Sequence, residues 1–323
     1  MAIVVTGAAG FIGFHVCQRL LARGDHVIGV DSVNDYYNPA LKEARLAQLM
    51  ANPSFAFHRA NIATQECFDE LADYVGVEGI VHLAAQAGVR YSIDHPFAYV
   101  ESNLVGHMRV LEYARSLPAL KNLVYASSSS VYGGNTELPF SIVDRVDQPI
   151  SLYAATKRAD EALSYSYSHL YRIPQVGLRF FTVYGPWGRP DMALFLFTKA
   201  IINGEPIRVF NNGHMSRDFT YVDDIVSGVV AALDKPPADE KDAPHRIYNL
   251  GNSTPEPLMG LIETLEAALG KKSEKIFEPM QPGDVKATYA DIEASRRDLG
   301  YEPTVPISVG VPRFVEWFRR YHA

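Results

Sequence analysis

The chain opens on Ala2-Ile-Val-Val-Thr-Gly7-Ala-Ala-Gly10-Phe-Ile-Gly13, and this stretch decides the fold. Ile3, Val4 and Val5 form an apolar, β-branched run that reads as a strand, and Phe11 to Arg23 reads as a helix. A strand, a glycine turn and a helix are the context of a dinucleotide fingerprint. Glycine lets the backbone turn tightly and approach a ligand closely, while the helix N-terminus receives a pyrophosphate. The spacing here is one residue wider than the common G-x-G-x-x-G.

Outward from that turn, short β-rich runs alternate with longer helical patterns. The runs are Ile3 to Thr6, Val27 to Val30, Phe55 to His58, Gly79 to Leu83, Leu123 to Ser127 and Val176 to Arg179. Such alternation predicts an α/β fold, a doubly wound parallel sheet of the Rossmann type with helices on both faces. Ligands of these sheets sit at the carboxyl ends of the strands, where Gly7, Asp31, Ala84 and Ser128 fall. Beyond Arg179 the pattern changes. Gly185-Pro-Trp-Gly-Arg-Pro190 reads as a loop, followed by a helix from about Ala193 to Asn203 and a short strand near Ile207 to Phe210. Asp218 to Tyr221 leads into a helix, Val222 to Leu233, and a last helix runs from Ser308 to Tyr321. The expectation is a dinucleotide-binding domain over 1–180 and, mainly over 181–323, a smaller mixed α/β C-terminal domain for substrate, with some later segments returning to the sheet.

Composition narrows the class of partner. The 323 residues are 47% hydrophobic and 21% charged, enough to bury a sizeable core and unlike a disordered chain. A net charge of -7 argues against nucleic acid or an anionic membrane as the main partner. It leaves room for an anionic small molecule met by a few local arginines. Strand residues directly after Met1, and the lack of an 18-residue apolar run, predict a cytoplasmic protein. Cys17 and Cys67 fit a reducing compartment, Cys17 as a small buried residue of the first helix. No metal site is predicted.

Particular residues then carry chemistry. Asp31 ends the second strand 18 residues after Gly13, near the distance at which an acidic residue accepts hydrogen bonds from an adenosine ribose. Its charge repels a 2'-phosphate, and Ser32 to Tyr37 contain no arginine to offset it, which favours NAD over NADP. An aspartate ending a strand as a turn residue is the plainer alternative. Asn61-Ile62 either meets the adenine edge or fills a loop. Ser127-Ser-Ser-Ser-Val-Tyr-Gly133 follows the fifth strand, where a hydroxyl can assist proton removal from a sugar hydroxyl; a solvated turn is the plainer alternative. Tyr153 and Lys157 lie four apart in a predicted helix, so both leave one face. An ammonium there stabilises a phenolate, making an acid/base of a side chain otherwise protonated near neutrality. The spacing alone arises often by chance and gains weight from the glycine turn.

Longer runs carry a resemblance: His82-Leu-Ala-Ala-Gln-Ala-Gly-Val-Arg-Tyr91, Ala126 to Gly133, Leu152 to Lys157, Arg179-Phe-Phe-Thr-Val-Tyr-Gly-Pro-Trp-Gly-Arg-Pro-Asp-Met192, Arg217 to Asp224 and Met280-Gln-Pro-Gly-Asp284. Over nearly its whole length the chain resembles the extended short-chain dehydrogenase/reductase family of nucleotide-sugar epimerases and dehydratases, and within it is similar to the UDP-glucuronate 4-epimerases. The resemblance implies C4 epimerisation of UDP-glucuronate to UDP-galacturonate through a 4-keto sugar, with NAD retained. It implies Ser128, Tyr153 and Lys157 as catalytic residues. Around NAD it implies Gly7, Gly10, Phe11, Ile12, Gly13, Asp31, Asn61, Ile62, Leu83, Ala84, Ala85, Gln86, Asn103, Tyr153, Lys157 and Phe180. For the UDP-sugar it implies Val209 and Phe210 at the uracil, Arg217 at phosphate and Asp284 at the uridine ribose. Gln281 and Thr288 depart from the arginine and aromatic that many galactose epimerases carry.

Family dehydratases place Asp-Glu after the catalytic hydroxyl, because elimination of water needs a further acid and base. Ser129 and Ser130 stand there instead. With Ser128, Thr182 and a bidentate fork from Arg189, they suit a carboxylate. Alternatives are a UDP-glucuronate decarboxylase, another UDP-sugar 4-epimerase, or a non-catalytic NAD-binding sensor, which would normally lack the tyrosine or the lysine. Helices Pro96 to Ser116 and Ser151 to Tyr171 are expected to pair in a homodimer, as in relatives.

Overall fold

Strands β1 (Ala2–Thr6), β2 (His26–Asp31), β3 (Phe55–Arg59), β4 (Val77–His82), β5 (Asn122–Ser128) and β6 (Gln175–Phe180) arise in the order expected. The computed structural model describes residues 1–281 and 285–322. Three later strands, β7 (Thr182–Tyr184), β8 (Ile207–Val209) and β9 (Ser216–Tyr221), stand apart, and β10 (His245–Leu250) returns to the main sheet. Two short strands come after it, β11 (Pro255–Pro257) and β12 (Lys275–Phe277).

The main sheet has the order β10-β6-β5-β4-β1-β2-β3, with each pair parallel. The strand order reverses between β1 and β4, the point at which such sheets bind ligands beyond the carboxyl ends of their strands. Alternate residues face opposite layers. Ile3 and Val5 pack with Phe14, Cys17 and Leu20 of the helix Phe11–Ala22 on one side, together with Val222, Ile225 and Val229 of the helix Val222–Asp234. Val4, Ile28 and Ile80 pack with Val110, Leu111 and Ala114 of the helix Gly106–Ser116 on the other. Both faces are covered, which explains why the strands read as nearly unbroken apolar runs.

Outside the main sheet, β9 pairs with β7 in parallel and β11 antiparallel, and β8 pairs with β12. Thr182 at the start of β7 comes two residues after the end of β6, so the chain passes directly from the cofactor crevice toward the later strands. The expected helix Pro96–Ser116 is not uniform. It contains a π-helical stretch, Val100–Val105, between Pro96–Tyr99 and Gly106–Ser116. That widened turn carries Asn103 inward. Cys17 and Cys67 are both buried free thiols.

Candidate active site

The glycine turn is shaped by backbone contacts. Gly7 has φ +73, and a Cβ there would lie 2.7 Å from the Ala84 nitrogen; at Gly13 it would lie 2.0 Å from the Gly7 carbonyl oxygen. The Gly7 N–H donates to the Val30 carbonyl at 2.7 Å and the Gly10 N–H to the Gly7 carbonyl at 2.9 Å. The turn is thereby seated between β2 and β4. Gly10 caps the helix Phe11–Ala22 without a side-chain hydrogen bond, and the first turn holds no acidic residue. Its leading N–H groups and positive dipole end are therefore available to an anion. This cradle fits a dinucleotide pyrophosphate. Phe11 is buried and Ile12 half-buried behind it.

Asp31 stands at the end of β2. Its carboxylate accepts from the Ala9 N–H at 3.0 Å and the Val33 N–H at 2.8 Å, which fixes it beside the glycine turn. Two cations that no sequence motif flags come from the next helix, Pro39–Met50. Lys42 donates to both the carbonyl and side-chain oxygen of Asn34, at 2.9 and 2.6 Å. Arg45 is fully buried and donates to the Ala9 and Trp187 carbonyls at 2.8 and 2.6 Å and to the Tyr37 hydroxyl. Their terminal nitrogens are directed at protein oxygens. Farther along the crevice, Asn61 is exposed and caps its own turn through Ala63, while Ile62 is buried.

After β4, the Leu83 and Ala84 N–H groups are fixed by the Thr6 carbonyl and hydroxyl, both at 3.2 Å, and Ala85 stays half-buried. Gln86 is held by Asn103, whose Oδ1 accepts from the Gln86 N–H at 2.8 Å and whose Nδ2 donates to its carbonyl at 3.1 Å. Asn103 also donates to the Thr156 hydroxyl at 2.9 Å. It joins the loop after β4 to the helix Leu152–Tyr171, so its amide acts as a bracket between the two walls of the site.

That helix begins at Ser151, whose hydroxyl accepts from the Ala154 N–H at 3.1 Å. Tyr153 and Lys157 lie one turn apart just beyond it. Tyr153 is half-buried, and its ring meets Tyr99 edge-on with centroids 6.0 Å apart. Tyr99 donates its hydroxyl to the Ala87 and Gly88 carbonyls. Burial, with Tyr36 and Tyr153 nearby, pushes that hydroxyl well above the ordinary tyrosine range. It stays neutral and serves as a fixed wall. Lys157 is buried, with Nζ 3.0 Å from the Ala126 carbonyl and 3.2 Å from Asp160 Oδ2.

The four serines divide their work. Ser127 points into the protein and donates to Glu161 at 2.7 Å. Glu161 also takes a two-bond ion pair from Arg179, at 2.8 and 3.0 Å. Arg179 and Asn249 share the Tyr132 hydroxyl. Burial raises the Glu161 carboxyl, but Arg179 and Ser127 outweigh it and leave it below its usual value. Ser128, next along β5, lies opposite Phe180 in the sheet register and accepts from the Ser130 N–H at 3.2 Å. Ser129 and Ser130 are half-buried on the 3₁₀ turn Ser129–Tyr132.

Among the residues expected to meet a substrate, Thr182 is half-buried in β7. Arg189 commits one edge of its guanidinium within its own loop. Its Nε lies 3.0 Å from Asp191 Oδ1, and Nη2 donates to Oδ2. The expected fork is thereby limited to the Nη1–Nη2 edge. The guanidinium lies over the Tyr36 ring at 5.9 Å, with Tyr36 donating to Asp191 at 3.0 Å. At the far end Val209 is buried, and the Phe210 ring lies under Arg90 at 4.9 Å and Arg208 at 5.5 Å. Arg217 donates to the Ser216 and Lys286 carbonyls. Asp284 lies outside the described residues. Among those described, no group of three or more His, Cys, Asp or Glu suits a metal ion, and no helix is long and apolar enough to cross a membrane.

Comparison with known proteins agrees with this geometry. A family model described as the NAD dependent epimerase/dehydratase family matches residues 3–251. The chain is 48% identical to Protein CapI of Staphylococcus aureus, covering 100% of this chain and 99% of that one. It is 46% identical, at the same coverage, to a probable UDP-glucuronate 4-epimerase of Rhizobium meliloti. Among solved structures, a UDP-glucuronic acid 4-epimerase from Bacillus cereus in complex with UDP-glucuronic acid and NAD superposes with a TM-score of 0.91 at 36% identity, over 99% of this chain and 100% of that one.

Proposed function

Because this chain belongs to the NAD dependent epimerase/dehydratase family, we propose that it interconverts UDP-glucuronate and UDP-galacturonate by inverting C4 of the sugar. The observation that carries this reading is the 3₁₀ turn directly after Ser128. It offers the hydroxyls of Ser129 and Ser130 and no acid/base pair, so a ketone formed at C4 is reduced again rather than drained by loss of water.

In this reading Tyr153 takes the proton of the C4 hydroxyl, with Ser128 hydrogen-bonded to the same oxygen. Lys157 supplies the positive field and a donor toward the nicotinamide ribose. The glycine turn and Asp31 would hold NAD, which would supply a hydride acceptor and donor for C4. The 4-keto sugar rotates between the two transfers, so the hydride returns to the opposite face of C4 while Tyr153 returns the proton to the C4 oxygen. The Asp31 carboxylate favours NAD by repelling a 2'-phosphate, and the apoprotein's relative affinity for the two cofactors tests this.

A 4-ketone is β to the C5 carboxylate, so the intermediate is prone to lose carbon dioxide when that bond aligns with the carbonyl π system. Ser128, Ser129, Ser130 and Thr182 provide hydroxyl donors to hold the carboxylate out of alignment, joined by Arg189 through its Nη1–Nη2 edge, since Asp191 occupies the other. In this reading Val209 and Phe210 meet uracil, and Arg217 meets phosphate. Residues 1–180 supply most of the cofactor crevice and 181–323 most of the nucleotide-sugar side, with β10 returning to the sheet.

The protein is read as a homodimer. Phe97, Val100 and Val105, 83%, 39% and 42% exposed, form an apolar strip on the segment Pro96–Ser116, and Tyr165 and Leu170 are exposed on the helix Leu152–Tyr171. Sedimentation of the native protein and of Phe97→Glu tests it. Free buried cysteines and a reaction drawing on NAD and a UDP-sugar support a cytoplasmic setting, which cell fractionation tests.

A further inference from the structure

Lys157 shares its buried place with a carboxylate that no step above uses. Asp160 lies one turn further along the helix Leu152–Tyr171, and its side chain is 1% exposed against 4% for Lys157. Asp160 Oδ2 is 3.2 Å from Lys157 Nζ, while Oδ1 has no hydrogen-bond partner among the described residues. A buried carboxylate oxygen left without a donor is expensive. Packing alone gives no reason for a charge here, since a residue of the same shape without the charge would fill the space. What the carboxylate does have is the ammonium beside it.

The surroundings sharpen the point. Glu161, next in the chain, is committed to Arg179 and Ser127. From the neighbouring elements, His82 at the end of β4, His107 of the helix Gly106–Ser116 and Tyr125 of β5 face the pair. Burial holds both histidines far below the usual imidazole range and Tyr125 far above the usual phenol range, so these three are uncharged. Burial also raises the Asp160 carboxyl, with Lys157 opposing. Within this pocket the charge nearest the catalytic ammonium is Asp160.

We propose that Asp160 is a positioning residue that acts through Lys157: it fixes the ammonium between the Ala126 carbonyl and the helix, and its negative charge offsets part of the field that the ammonium casts on the Tyr153 hydroxyl. Two opposite charges at this separation in a buried site interact strongly, so the offset is not a minor correction. The inference rests on the reading of Tyr153 as the base.

Asp160→Asn tests it, because the amide keeps the shape and an oxygen for Lys157 while removing the charge. The readout is the pH profile of kcat with saturating UDP-glucuronate, whose acid limb reports ionisation of the base in the complex. The limb is expected to move to lower pH by about half to one unit. Asp160→Ser, which removes both charge and contact, is expected to move it in the same direction and also to lower kcat. Thermal melting establishes that each variant is folded, and either folded variant suffices. An acid limb that stays at the wild-type pH, whatever the rate, overturns the inference. So does a wild-type profile with no acid limb above about pH 5. If wild type fails to interconvert the two UDP-uronates, the functional reading has failed. If it succeeds and the limb does not move, only the role of Asp160 has.

Discussion

Arg189 and Asp191 close a two-bond ion pair across a single proline, and that pair decides how Arg189 can meet a substrate. One edge of the guanidinium belongs to the loop. A substrate carboxylate therefore meets the Nη1–Nη2 edge, where a charge-assisted hydrogen bond is an interaction of about 1.5 to 3 kcal/mol. Arg189→Ala is expected to weaken UDP-glucuronate by that amount and UDP scarcely at all, and to raise the share of decarboxylated product. Arg189→Lys, which keeps the charge but not the fork, is expected to recover only part of the binding. Titration of both ligands against both variants checks this; a lysine variant as tight as the wild type would mean that the fork is not used.

Tyr153 faces a narrower test. Tyr153→Phe keeps the edge-on contact with Tyr99 and removes only the hydroxyl. Turnover is expected to fall by ~10² to 10⁴ or more, the usual contribution of a positioned acid/base, with UDP affinity nearly unchanged. A variant retaining a tenth of the activity would assign the proton to another group.

Stability should depend on pH in one direction. Burial pushes His15, His107 and His245 down to about 4, 3 and 4, and His82 lower than the usual range as well. The unfolded chain binds protons at these sites below its ordinary imidazole value of about 6.5, where the folded chain does not. Stability is thus complete above pH 6.5 and is lost as pH falls toward 4, by up to about 3 kcal/mol each for His15 and His245. Glu161, held low by Arg179, extends the loss to lower pH. The raised carboxyls of Asp160, Asp218 and Asp223 work the other way, against four lowered histidines and the lowered Glu161. Urea unfolding at pH 8, 6 and 5 should show a falling midpoint; a flat or rising one would contradict the buried neutral histidines.

The sheet is legible in the sequence because parallel strands covered on both faces leave unbroken β-branched runs, as at Ile3 to Val5. β10 leaves a weaker signature because His245 and Arg246 at its start are polar and it comes after a proline-rich loop. Glycines at 7, 10 and 13 declare the cofactor turn through a requirement that acts along the chain. Features that sequence does not disclose depend on contacts between distant segments. Arg45 reaches Trp187 across 142 positions, and Asn103 is carried to Gln86 and Thr156 by a π-helical turn with no composition signature. Asp191 stands two residues from Arg189 in plain view, yet only geometry shows that their side chains pair. Asp160 lies one turn beyond the Tyr-x-x-x-Lys motif, a spacing that could have flagged it.

Deuterium at C4 tests the central claim most directly. UDP-glucuronate labelled there, incubated with the purified protein and no added reductant, should yield UDP-galacturonate that keeps the label at C4, since the hydride removed is the hydride returned. Loss of the label to solvent, or release of carbon dioxide with a UDP-pentose as the main product, would contradict it.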